Sequence, residues 1–162
     1  MFDTFNGLPV HPLVVHAVVV LLPLAIAGTL AISFVPRWRL RYGPLVVAAA
    51  FFATVLIPVA TSSGESLEEK VGDPGEHAEL GDQLIWFAVP LLLFVAALVW
   101  LEWRASKRPE RSTEAPARSR GLLKAVVALS VVASLAAGVQ VFRVGDSGAR
   151  AAWGDSSSQA DR

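Results

Sequence analysis

The chain has 162 residues with 14 basic and 14 acidic side chains, is 54% hydrophobic and only 17% charged. Soluble domains usually carry about a quarter charged residues, so a soluble globular protein is excluded as the simplest reading. The absence of cysteine rules out disulfides, thiolate-held iron–sulfur clusters and haem attachment through C-x-x-C-H. A formal charge of zero points to no nucleic-acid partner, and none is expected.

The apolar residues fall into four blocks, each about long enough to cross a hydrocarbon core of roughly 30 Å as a helix. No Lys or Arg precedes the first block, so it reads as a retained span rather than a cleaved signal peptide. The first span is predicted over about 13–35, with Pro12 at the first helical position and Pro23 as a kink. The block from Arg37 to Arg41 closes it, and a second, Ala- and Val-rich span follows over about 44–60.

Residues 61–83 form a short acidic connection with seven carboxylates, in which Ser63 to Val71 can make one or two helical turns before an Asp73-Pro74-Gly75 turn. The third span is predicted over about 84–103, with Pro90 as a kink. A polar linker over 105–120 reads as flexible and cytoplasmic, and the fourth span runs over about 122–144. The membrane domain is expected over 1–155, with 156–162 as a disordered tail. The fold class is therefore an all-α, four-helix transmembrane bundle.

Orientation follows from charge. Arg37, Arg39, Arg41, Arg104, Lys107, Arg108, Arg111, Arg118, Arg120 and Lys124, ten of the fourteen basic residues, flank the first and third connections. The positive-inside rule puts these connections in the cytoplasm, and both termini and the acidic loop outside. Trp38, Trp100 and Trp103 fall at the inner boundary and Trp86 near the outer one, where indole rings anchor. A multi-pass protein of the cell (inner) membrane results. Small residues spaced four apart, Ser130, Ser134 and Gly138, offer a face for close helix packing, as do Ala49 and Ala53 on the second span and Gly28 on the first. The basic inner face is explained by topology and anionic lipid.

All three histidines fall on the outer side: His11 before the first span, His16 in its first turns and His77 leading into the third. Imidazole offers a lone pair at neutral pH, which suits haem iron or a transition-metal ion. His16 is the most informative, because a polar ring inside the hydrocarbon edge is costly unless it faces the bundle; the alternative is a ring hydrogen-bonded at the interface. His11 and His16 are five apart, about 140° around a helix, but Pro12 pushes His11 out of helical geometry, so it can turn back over the bundle or cap the helix. His77 sits among Glu76, Glu79 and Asp82, and a solvated salt link is its alternative. Glu65 directly follows the second span and is the carboxylate best placed to orient a ring. Asp146 and Ser147 leave the fourth span on the same side. There is no phosphate loop, H-E-x-x-H or G-x-S-x-G motif and no charge in the middle of a span. An enzyme, a pump or a proton-coupled transporter therefore finds no support.

The opening run from Asn6-Gly7-Leu8-Pro9-Val10-His11-Pro12 to His16 resembles the first motif of a bacterial membrane family catalogued as domain of unknown function 2231. Thr61-Ser62-Ser63-Gly64-Glu65, His77, and the run from Arg143 through Gly145-Asp146-Ser147-Gly148 to Trp153 resemble its later motifs. The resemblance covers nearly the whole chain. It implies a four-helix membrane domain and points at His11, His16, Gly64, Glu65 and His77. Some relatives are joined to Rieske-type iron–sulfur domains, which implies a redox setting. Many carry histidine where this chain has Asp146, a departure that tells against schemes needing a fourth imidazole.

The reading that results is a haem- or metal-binding electron-transfer subunit with its site at the outer face and a redox partner protein there. Haem b or a transition-metal ion would be held by His16 and His77, with His11 as alternate ligand or support and Glu65 orienting a ring. His16 then lies about 4 Å inside its span and His77 about 10 Å beyond its own, at 1.5 Å per residue, so the loop must fold onto the bundle. The alternative is a non-redox accessory or structural subunit of a larger complex, in contact with membrane lipids.

Overall fold

A computed structural model describes residues 4–5, 8–71, 75–107 and 117–159. Two short strands, β1 (Thr4–Phe5) and β2 (Leu8–Pro9), pair antiparallel ahead of the helices, with Phe5 opposite Leu8. The elements described after them are all helical: α1 (Val10–Phe34), a 3-10 turn (Pro36–Trp38), α2 (Arg39–Val71), α3 (Glu76–Gln83), α4 (Ile85–Ser106) and α5 (Ala117–Gln159). The two-residue strands were not foreseen, but the fold is the expected all-α bundle with four helices long and apolar enough to cross a membrane.

The crossing segments are His11–Phe34, Pro36–Glu65, Glu76–Ser106 and Arg120–Ala151. The shortest has 24 residues, about 36 Å of helix, enough for a hydrocarbon core of roughly 30 Å. The helices outrun their apolar stretches. α2 carries on through the acidic segment to Val71, and α5 continues to Gln159. Of the expected linker, 105–106 and 117–120 are helical, while 108–116 lie outside the described residues, as do 160–162.

Around the bundle α1 touches α2 and α5, and α4 touches the same two, with α1 and α4 on a diagonal that also makes contact. The core stripe of α1 is Val18, Leu22, Ala25, Thr29 and Ile32, and that of α4 is Ala88, Leu91, Val95 and Leu98. Residues such as Val20, Leu24, Leu45, Leu93 and Phe142 point outward and exposed, as lipid contact requires. Association in lipid depends on close packing, and two glycines provide it. Val46 fills the notch at Gly28, where an added Cβ would come within 2.7 Å, and Val99 fills the one at Gly43, at 2.6 Å. Ser130 and Ser134 are fully buried and bond back to the carbonyls of Val126 and Ser130, while Gly138 lies against Ile26.

α3 and α4 form one crossing segment with a break at Leu84, whose N–H bonds to Gly81 O instead of Leu80 O. That tightening frees the Leu80 carbonyl. The buried Gln140 of α5 supplies the missing partner, with Nε2 donating at 2.9 Å. A glutamine in an apolar span thus closes a backbone defect in a neighbouring helix.

Candidate functional site

With four crossings, both termini of the bundle lie at the same end, and so do the three histidines. The opposite end carries Trp38, Trp100 and Trp103. These rings are exposed, with Arg104 over Trp100 and Lys107 over Trp103.

His11 is part of α1, not turned out of it. Pro12 falls in the first helical turn, where its missing N–H has no intrahelical acceptor to lose, so the helix starts before it. From there the ring reaches α2, with Nδ1 3.0 Å from Ala60 O and 3.2 Å from Ser63 Oγ. Ser63 donates its own hydroxyl hydrogen to that same carbonyl at 2.9 Å. The serine oxygen is left only lone pairs for the ring, so both neighbours of Nδ1 are acceptors and Nδ1 carries the proton. Gly64 makes room, since a Cβ there would stand 3.2 Å from His11 Cε1.

His77 repeats this arrangement on another pair of helices. From α3 its Nδ1 lies 3.1 Å from Val144 O and 3.3 Å from Ser147 Oγ on α5, and Ser147 donates to Val144 O at 3.0 Å. Nδ1 is again the protonated nitrogen. Gly148 is the floor of the seat, where a Cβ would come 2.9 Å from His77 Cε1. Both rings are half-buried. In each seat the basic Nε2 is the atom left over.

His16 departs from the expectation that it faces the bundle. It is exposed and its Nδ1 bonds back to Pro12 O in its own helix; the angular offset of about 140° from His11 carries it off the core stripe. Glu65 is exposed as well. The groups that orient His11 are the Ala60 carbonyl and Ser63, not a carboxylate. Asp146 pairs with Arg150 at 2.6 Å, one turn along α5. Among the described residues no three His, Asp or Glu side chains gather as a metal site, so His11, His16 and His77 are not one three-imidazole cluster.

The other end holds a residue the charge pattern hid. Arg39 is buried and donates from Nε to Ile32 O at 2.9 Å and from Nη2 to Ser33 O at 3.0 Å, with Nη1 3.2 Å from Glu102. It satisfies the last carbonyls of α1 and sits at the negative end of that helix. The basic face here is therefore not only topology and lipid. Glu102, an acidic residue at a basic boundary, was the available signal.

A profile for the family described as "Predicted membrane protein (DUF2231)" matches residues 7–160. The chain belongs to this family. The match takes in both histidine seats and all four crossing helices, and it accords with a multi-pass membrane protein. No curated protein and no solved structure matches the chain.

Proposed function

We propose that this protein is an electron-transfer subunit of the cell (inner) membrane, holding a haem at its outward face through His11 and His77. The observation that carries the reading is the state of the two rings. Each donates Nδ1–H to a backbone carbonyl of a neighbouring helix, which fixes the tautomer and leaves Nε2 as a basic donor. Imidazoles that bind metals are held in this way, with the second nitrogen engaged by a carbonyl or carboxylate. Two protein donors match a group that brings its other ligands with it, as haem does, better than a bare ion that takes four. His16 is displaced from the ligand pair by its exposure. The orientation rests on the arginines around the opposite end, and a redox partner would dock at the histidine end.

A reduced-minus-oxidised optical spectrum of the purified protein, with elemental analysis beside it, tests this. Haem bands are expected, abolished by His11→Ala or His77→Ala and kept in His16→Ala. Absence of both haem and stoichiometric metal would sink the proposal, and bands surviving the double variant would refute the ligand pair. One observation favours a second reading, a non-redox subunit: each ring also ties two helices together, α1 to α2 and α3 to α5. In that case the histidines stabilise the bundle end and no cofactor is found.

A further inference from the structure

The two histidine seats are related by constant numerical offsets, and so is the core beneath them. Adding 66 carries His11 to His77. The same shift carries Val18, Leu22, Ala25, Thr29 and Ile32, all buried in α1, onto Leu84, Ala88, Leu91, Val95 and Leu98, all buried in the third crossing. On the return helices the shift is 84. It takes Ala60, Ser63 and Gly64 to Val144, Ser147 and Gly148, the carbonyl, hydroxyl and floor of the two seats. It also takes the buried Val46, Ala49, Ala50 and Ala53 to the buried Ser130, Ala133, Ser134 and Ala137. An Ala-rich span offers small residues by chance, but chance does not bring both shifts into register with a carbonyl, a serine and a glycine around one ring.

Neighbour relations agree. Exchanging α1 with α4 and α2 with α5 maps the contacts α1–α2 onto α4–α5 and α2–α4 onto α5–α1. Sizes along the diagonal are complementary: Leu22 corresponds to Ala88 and Ala25 to Leu91, all four at 1% exposure or less. A large residue in one half stands for a small one in the other, in adjacent layers and opposite senses, as two stripes packing on a common axis require.

We infer that the chain is one helical hairpin present twice in tandem, related by a two-fold axis running along the bundle. The group bound at the histidine end lies on that axis, with one imidazole from each copy. His11 and His77 sit seven residues above Val18 and Leu84, His11 on α1 and His77 on α3 beyond the break at Leu84, and each is seated on the return helix of its own half, α2 or α5. The ligand would be a single group that takes two equivalent protein donors, the Nε2 atoms of His11 and His77, as a metalloporphyrin does. This last point rests on the proposed function; the duplication does not.

The test uses the whole 162-residue chain, which has no cysteine to remove. Spin labels go on exposed positions in two mirrored pairs, L13C/V139C and V55C/E79C. A two-fold axis makes the two inter-label distances equal in a double electron–electron resonance measurement; a difference beyond the label's own spread overturns the duplication. Ferric haem is then titrated into the wild type, His11→Ala and His77→Ala. One haem per chain is expected, with the two variants losing affinity to the same extent. Two haems per chain, or a loss confined to one histidine, overturns the shared site. Equal distances with no haem taken up overturn the ligand and the proposed function together, while the duplicated hairpin stands.

Discussion

The two ends of the bundle handle buried polar groups in opposite ways. At the tryptophan end Arg39 uses Nε, Nη1 and Nη2 on Ile32 O, Glu102 and Ser33 O, so the guanidinium is spent inside the chain. At the other end His11 and His77 spend only Nδ1 on the protein. A group satisfied on every side locks a helix end in place. A ring held by one nitrogen is oriented and still has a donor to offer. On this contrast, disturbing the locked end should leave the donors at the other end in place.

The largest effect should come from breaking the locked end. Arg39→Ala leaves two carbonyls at the end of α1 and the Glu102 carboxylate, 26% exposed, without their partner. A loss of about 2–4 kcal/mol is expected, read as a shift in the unfolding midpoint in mixed detergent. The paired variant Arg39→Met/Glu102→Met should recover much of it, since replacing both members of a buried pair removes the unpaired charge. If ligand uptake at the histidine end falls in proportion to stability, the separation between the ends fails.

Gly148→Ala comes next and probes the open end. The added methyl would lie 2.9 Å from His77 Cε1 and 3.1 Å from Nδ1, so the ring must leave its seat or the helices must part, a cost of about 1–3 kcal/mol. Gly64→Ala meets His11 at 3.2 Å and should cost less, below about 1 kcal/mol. Thermal unfolding of the two variants side by side checks the order. An equal cost would mean that the two seats differ in tightness less than the geometry has them.

How much of this was legible follows from the kind of signal each residue gives. The four spans stand out because apolar runs of membrane length are conspicuous, and the histidines fall to one side because charge bias orients the loops. Arg39 was hidden by the same logic: within Arg37-Trp38-Arg39-Leu40-Arg41 nothing singles out the one guanidinium that turns inward. The exposure of His16 was concealed by its depth, since a polar residue within a span is assumed to face the bundle. Ser63-Gly64 and Ser147-Gly148 could have been read as seats. Each Ser-Gly pair follows a returning span, and each of the two seated histidines precedes or opens a departing one, so laying one half of the sequence over the other would have exposed them. The Leu–Ala exchange along the diagonal, by contrast, becomes visible only when the core positions are known.

The smallest effect expected is also the most telling about the rings. Ser63→Ala and Ser147→Ala each remove one of the two acceptors on Nδ1 and leave the carbonyl of Ala60 or Val144 in place. Stability should fall by no more than about 1 kcal/mol, because one hydrogen bond is lost while the ring stays satisfied. The tautomer should not change, since the carbonyl can only accept. Nitrogen-15 shifts of labelled histidine would therefore report protonated Nδ1 and bare Nε2 at positions 11 and 77 in the wild type and in both variants at alkaline pH. A switch to protonated Nε2 in either variant would mean that the serine, not the carbonyl, sets the ring, and the open donor at that end would depend on a single hydroxyl.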